Sequence, residues 1–583
     1  MIHNSQNSAA RSQRSQDTPN VVHKKIKLKE QNLEWAGHVS QKFGLSEVAA
    51  RIVAARDFSS DKDIEDFLNP TLKKGLPLPS LLKGIKEAVA LIQEAVENGL
   101  KIAICCDFDV DGLTGGSQLY DFLGQIGAKR EIYIPNRFID GYGLNENIVE
   151  KAKEDSCSLL VTIDFGTTNF VELKLAGELD IKTIVIDHHE IVGEAPLTDA
   201  FINPHQDGCG FAGCTLSASG LTWYLVAALS SRLEAAKDIS AKSYLDLACL
   251  GTICDMVPLT GVNRVLARRG LEALTYSERP GLINLKKTVG IRSRVGCSHV
   301  GFGLGPRINA AGRMDTGEIV IELLTSDDEA KTAKLAEKID KLNKKRQATE
   351  EKVKERVLSM LPSSKNVPWG IVSWHRDFHI GVIGIVAQRL VEMFYRPTAI
   401  IGYDNGMFKG SVRGVKGFNV IEALTTLSEH LVKFGGHEGA GGFSIEESKL
   451  EIFRERFAAY CENELGSKSL KVSSLVDTEA NLSDISRELI KELEKFEPHG
   501  IGNPRPNLLI RNLKVLEVKI LKGSHLKAML SDGKRFIPAL MWKRAHHPHL
   551  KSGAKVDISC KPQLNVFNGI EELQLVLDAV EPH

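Results

Sequence analysis

Residues Lys101–Gly116 read KIAICCDFDVDGLTGG, and the fold of the chain is decided in that stretch. Ile102, Ala103, Ile104, Cys105 and Cys106 make a short apolar run, the pattern of a strand buried on both faces. The run breaks into three carboxylates at alternate positions, Asp107, Asp109 and Asp111. Gly112, Gly115 and Gly116 follow, and Leu119, Phe122, Leu123 and Ile126 then recur at helical spacing. Three acids beside a buried strand end repel one another and resist desolvation, so without cations they are costly. Divalent metal removes that cost.

Outward from this stretch, short apolar runs at 131–134, 159–163 and 182–186 alternate with helical segments. Such spacing makes βαβ units and hence a parallel sheet with right-handed crossovers. The third run ends in Asp164-Phe-Gly and the fourth in Asp187-His188-His189. A helix-like run at 245–253 leads to Asp255. Ligands of open parallel sheets sit beyond the carboxyl ends of the strands, so these acids and histidines are expected to share one crevice. The donor set is rich in carboxylate, includes imidazole and lacks thiolate, which suits Mn²⁺ or Mg²⁺. It exceeds what one six-coordinate ion takes from a protein, so two divalent ions sharing a bridging carboxylate are expected.

At 583 residues the chain is too long for one ordinary core. Lys+Arg and Asp+Glu both number 74, so any nucleic-acid surface must be a local patch and not a bulk charge. The ten cysteines include no C-x-x-C pair and read as reduced thiols of a cytoplasmic protein. No apolar run approaches the roughly 18 residues of a membrane span. The first 20 residues are rich in Ser, Gln and Asn and lack an apolar stretch, which predicts a disordered tail over 1–32 and no secretory signal.

Residues 33–98 read as largely helical, and the sheet-forming domain is expected over 33–325. A long charged helix follows within 326–362. Its apolar stripe of Leu335, Ile339, Leu342, Val353, Val357 and Met360 has a polar gap at Arg346 and Thr349. A second α/β domain is expected over 363–465, with a glycine-rich loop at 435–443. From 466 onward the pattern becomes β-rich with near-alternating polarity, which predicts a small closed barrel. Residues 501–583 hold 13 Lys/Arg against 7 Asp/Glu, a formal +6. Phe536, Trp542 and Phe567 lie among them, the mixture a single-strand-binding platform requires.

DFDVDG, the Asp164 strand end, DHH at 187–189 and the later Asp255 resemble motifs I to IV of the DHH phosphoesterase superfamily. GGHEGAGGF at 435–443 resembles the signature of its associated second domain, DHHA1. GFGLGPRINAAGRM (301–314), HIGVIGIVAQRL (379–390) and FEPHGIGNPRP (496–506) narrow the resemblance to RecJ-type exonucleases, from about residue 45 to the end. It implies an α/β fold: a parallel-sheet DHH domain, a second DHHA1-like α/β domain joined by the long helix, and a C-terminal OB-like barrel. It further implies a metal-dependent enzyme that degrades single-stranded DNA 5′ to 3′ to mononucleotides in DNA repair and recombination. Asp109, Asp111, Asp164, His188 and Asp255 match the metal ligands, with Asp164 the bridge. Asp107 and His189 match residues that support the metals and engage the scissile phosphate. Arg137, Asn309, Arg313, Ser411, Arg413, Gly436 and His437 stand where relatives hold DNA phosphates. RecJ-like proteins work with a single-strand-binding protein and a helicase, and a monomer is expected. The alternatives are a DHH-family hydrolase of small phosphoesters (oligonucleotides, cyclic dinucleotides or pyrophosphate) and a catalytically dead DNA-binding scaffold.

Overall fold

The computed structural model describes residues 24–583, except 57, 138, 140, 212, 363–366, 467–471, 568–569 and the side chains of 566–570. The chain divides into two compact units. One holds Gln31–Lys344 together with Arg487–Pro506; the other holds the segment up to Glu30, Lys345–Ser486 and Asn507–His583.

The first unit is built on a five-stranded sheet in the order Arg130–Tyr133, Lys101–Cys106, Cys157–Ile163, Lys182–Ile186, Ala200–Ile202. Every pair is parallel. Side chains alternate across the sheet. Ile102, Ile104, Cys106, Val161, Ile163, Ile184 and Ile186 therefore enter one core with helices Ile85–Glu97, Val110–Gln125 and Ala218–Arg232. Ala103, Cys105, Leu160 and Val185 enter another with helices Glu146–Glu154 and Phe170–Glu178. Both faces being covered, the strands read as unbroken apolar runs.

Strand order reverses between Lys101–Cys106 and its neighbour Cys157–Ile163, the switch point at which open α/β sheets bind ligands. Helix Val110–Gln125 starts there, capped by Asp109, whose side chain accepts from Asp111 N at 2.9 Å and Gly112 N at 3.3 Å. A Cβ on Gly112 would lie 2.6 Å from both Asp107 N and Asp107 O, so glycine is what lets the helix start against the strand end.

Arg487–Pro506 packs onto this unit through Arg264. The buried guanidinium donates to the carbonyls of Phe67, Lys495, Phe496 and Glu497 and lies 3.9 Å from the Phe67 ring centroid. Its planar fork satisfies carbonyls from two remote segments, which an alkyl ammonium cannot do in the same geometry. Arg264→Ala strands those acceptors and should destabilise the unit by about 3 kcal/mol, seen as a lower thermal midpoint.

In the second unit a mixed sheet runs Lys433–His437, Ala440–Ile445, Met407–Arg413, Thr398–Asp404, Ile371–Trp374. The glycine-rich segment is therefore a hairpin of two strands and not the loop expected at 435–443. Its glycines serve packing: a Cβ on Gly441 would lie 2.7 Å from Leu424 Cδ1, and on the neighbouring strand a Cβ on Gly410 would strike the ring of Phe443 at 2.2 Å. The helix Glu329–Met360 is 32 residues long and begins in the first unit and ends in the second. Its polar gap is filled by a buried cluster in which Glu350 accepts from both Arg346 and Arg389.

Strands Leu508–Leu521, His525–Ser531, Phe536–Met541, Ile570–Pro582 and Lys555–Phe567 pair in that order, and the last returns to the first, closing a five-stranded barrel. The five barrel strands begin at Leu508, and within the span expected from 466 onward Arg487–Pro506 belongs to the other unit. The tail expected over 1–32 ends sooner, because Lys25–Leu28 pairs in parallel with Ser473–Val476; residues 1–23 lie outside the described residues, as does the side chain of Phe567. Phe536 and Trp542 are exposed on the barrel. Among the described residues no helix is long and apolar enough to cross a membrane.

Candidate metal centre

The three strand ends of the first unit and the end of helix Leu245–Cys254 deliver their polar side chains to one place. His188 stands at its middle, with Nε2 at 3.1 Å from Asp164 Oδ1, 3.6 Å from Asp255 Oδ2 and 3.9 Å from Asp111 Oδ2. Three overlapping sets have donor atoms all within 4.8 Å of one another: Asp107, Asp109 and Asp164; Asp111, His188 and Asp255; Asp164, His188 and His189. Asp164 belongs to two of them.

Local structure fixes each member. Asp164 has φ +73°, a left-handed conformation costing on the order of 1–3 kcal/mol for a residue other than glycine. It is held by Asp164 N donating to Ile186 O at 2.9 Å and by Tyr142 Oη donating to Asp164 O at 3.0 Å. Asp111 is buried, and its carboxylate accepts from Ala218 N at 2.6 Å and Ser219 N at 2.9 Å. Those amides are the first of helix Ala218–Arg232, whose positive end faces the acid. Asp187 accepts from the backbone of Thr167, His188 and His189 and from His189 Nδ1 at 2.7 Å. It orients the imidazole pair and leaves His189 Nε2 outward, 3.4 Å from Tyr142 Oη.

Burial is the main electrostatic force here. It pushes Asp107 up to about 8, Asp111 to about 7 and Asp255 to about 9, each with further help from neighbouring acids. Asp164 is raised strongly for the same two reasons. Burial lowers His188 to about 4. Burial opposes ionisation of Asp187 too, but its bond to His189 and its other donors win and hold it well below the usual carboxylate range. His189 loses to burial but gains more from Asp187 and rises. Asp107 Oδ1 is buried with no hydrogen-bond partner. Carboxylates forced toward the neutral form around a neutral imidazole, with an orphaned oxygen among them, are a donor set that fits divalent cations.

Arg137 and Asn309 also come to this place. The Arg137 guanidinium lies 4.1 Å from the Phe108 ring centroid. Burial lowers its pKa, and attraction to Asp107 and Asp109 opposes that. Asn309 lies on helix Gly305–Met314, and its Oδ1 accepts from Val110 N at 3.1 Å. Arg313 is one turn further along that helix. Ser411, Arg413, Gly436 and His437 lie in the second unit, where Arg413 Nη1 donates to Ser411 Oγ at 2.9 Å. Arg413 pairs with Ala440 across the sheet, as does His437 from the other side.

Sequence reasoning placed Asp187 in the crevice without a role of its own, and gave none to Tyr142 or the Ala218 helix end. A tyrosine between two glycines beyond a strand end was the available signal for Tyr142; the helix end offered none.

Three family profiles match the chain: the DHH family N-terminal domain over residues 101–252, the DHHA1 domain over 366–463 and the RecJ OB domain over 476–579. The chain is 32% identical over 547 residues to the single-stranded-DNA-specific exonuclease RecJ of Bacillus subtilis (strain 168), covering 92% of this chain and 68% of that protein. It is 31% identical over 562 residues to the protein of the same description from Escherichia coli (strain K12), covering 91% and 95%. The crystal structure of RecJ in complex with Mn²⁺ from Thermus thermophilus superposes with a TM-score of 0.82 at 28% identity, over 96% of this chain and 80% of that one.

Proposed function

The chain belongs to the RecJ family of single-stranded-DNA-specific exonucleases, and from that premise we propose that it hydrolyses single-stranded DNA at the Asp–His centre with two divalent ions, Mn²⁺ or Mg²⁺. The observation that carries this reading is the convergence of Asp107, Asp109, Asp111, Asp164, His188 and Asp255 from separate segments within reach of one another. Asp109, Asp111, Asp164, His188 and Asp255 hold the ions, with Asp164 shared. When bound, such a pair supplies a nucleophile from water at neutral pH and offsets charge on the scissile phosphate.

The remaining steps fall to side chains. The Ala218 and Ser219 amides keep the Asp111 carboxylate fixed while its partners exchange. Asp187 holds His189 at Nδ1 and favours its protonated form, so Nε2 presents a donor toward a phosphate oxygen. Arg137, Asn309 and Arg313 grip phosphates and set register in this unit. In the second unit Ser411, Arg413, Gly436 and His437 are phosphate contacts, and the barrel, with Phe536 and Trp542 among its cations, binds single strands. The enzyme runs 5′ to 3′ and releases mononucleotides. It acts as a monomer in the cytoplasm, in DNA repair and recombination, beside a single-strand-binding protein and a helicase.

Asp187→Asn keeps shape but loses the charge that orients His189. It should lower turnover by about 10- to 100-fold with the fold intact by circular dichroism; undiminished turnover would remove the role given to His189. Digestion of single strands labelled at either end, titrated with Mn²⁺ and Mg²⁺, tests the whole reading. Mononucleotides released from the 5′ end support it, and 3′-end release or no metal dependence refutes it.

A further inference from the structure

The acid centre leaves one segment of the first unit without a role, the residues that lead into helix Gly305–Met314. Helix Pro280–Val289 ends at Gly290, and Arg292, Ser293 and Arg294 follow as an exposed run. Val295 N then donates to Thr275 Oγ1 at 3.0 Å, which ties this run to the neighbourhood of Tyr276, 79% exposed. Val300–Leu304 makes a single π-helical turn, GFGL in its last four residues, and raises Phe302 to 87% exposure. Gly303 packs on Val289, since a Cβ there would lie 2.8 Å from Val289 Cγ1. The turn is thereby brought back to the helix end that precedes Arg292.

Two nearly bare aromatic rings and two exposed arginines thus come from segments held to one another by these contacts. Neither Arg292 nor Arg294 is paired with a carboxylate among the described residues. Arg294 lies near enough to Arg268 that their repulsion adds to burial in lowering Arg268, while Glu497 and Glu272 pull the other way. A wide exposed ring is unfavourable in water, and π-turns gather at functional sites. The segment is also anchored to the acid centre. Gly305 packs on Cys254, the residue before Asp255, and four residues on Asn309 meets Val110.

We propose that Tyr276, Arg292, Arg294 and Phe302 form an additional binding subsite for single-stranded DNA on the first unit, taking nucleotides other than those being hydrolysed. Bases stack on the rings and the guanidinium groups meet phosphates. Unpaired cations beside aromatic rings complement a polyanion with exposed π-faces better than they complement an apolar protein surface. The proposal rests on the exonuclease reading and adds a place on the molecule for the strand.

The test uses the full chain in EDTA, with fluorescently labelled single strands of about 30 and about four nucleotides and their affinity followed by anisotropy across a salt series. Phe302→Ala should weaken binding of the long strand about tenfold. The double substitution Arg292→Gln, Arg294→Gln should flatten the slope of log affinity against log salt by about 1.4, the value for two phosphate contacts on a single strand. Loss confined to the long strand supports the subsite. Parent-like affinity and slope in both variants, as a protein-docking patch would give, overturn it. An equal loss on the short strand also overturns it, by placing these side chains at the reacting end. A parent protein that binds neither strand overturns the exonuclease reading together with the subsite.

Discussion

Asp164→Asn should lower hydrolysis of single-stranded DNA by at least about 10³-fold while leaving the protein folded. Asparagine is the informative replacement because it tolerates the left-handed backbone that position 164 requires (φ +73°). It also keeps the size and hydrogen-bonding shape of the side chain. What it removes is the negative charge common to two of the three donor sets. If the acid centre is catalytic, no other carboxylate can stand in for that shared position. Turnover within about tenfold of the parent, with both proteins purified free of other nucleases, would dissociate the centre from the reaction.

The second large effect is on stability. In the cation-free protein Asp107, Asp111 and Asp255 titrate near 8, 7 and 9, raised by burial and by one another. Each keeps its proton in the folded state long after the unfolded chain has released it near pH 4. Between about pH 4 and pH 9 the folded state therefore binds more protons, and stability must fall as pH rises. The sign is opposite to that of the Asp187 carboxylate, which is depressed and stabilises the fold above the usual carboxylate range. Metal competes with those protons. Mn²⁺ at about 100 times its dissociation constant should add about 2.7 kcal/mol for each ion bound, raising the thermal midpoint by several degrees at pH 8 and by much less at pH 5. A midpoint that is flat with pH, or raised equally by Mn²⁺ at both values, would contradict the cation-dependent pocket.

The parts of the fold that were legible in the sequence share a physical cause. Strands buried on both faces, such as Lys101–Cys106 and Cys157–Ile163, carry no charged residue beyond Lys101 to blur them, and each ends where an acid appears. Ala200–Ile202 was too short to register as a run. Glycine's poor β propensity disguised the hairpin from Lys433 to Ile445, whose pairing makes room for Phe443 and so depends on contacts remote in sequence. Arg487–Pro506 opens with a short amphipathic helix, Arg487–Glu494, but its own pattern does not say which unit it joins, and what assigns it to the first is Arg264, more than 200 residues earlier. At the centre, Asp109, Asp111, Asp164, His188 and Asp255 were found because charge at a strand end or helix end is costly and conspicuous. Asp187 and Tyr142 act through hydrogen bonds to those residues, and only distances reveal that.

Equilibrium binding of Mn²⁺ at pH 8 to the parent protein and to Asp164→Asn is the shortest route to the central claim. Two ions per chain for the parent, and loss of at least one with the substitution, is the expected result. Equal Mn²⁺ occupancy in the two proteins would mean that the acids and histidines gathered at the ends of the sheet do not form the metal centre.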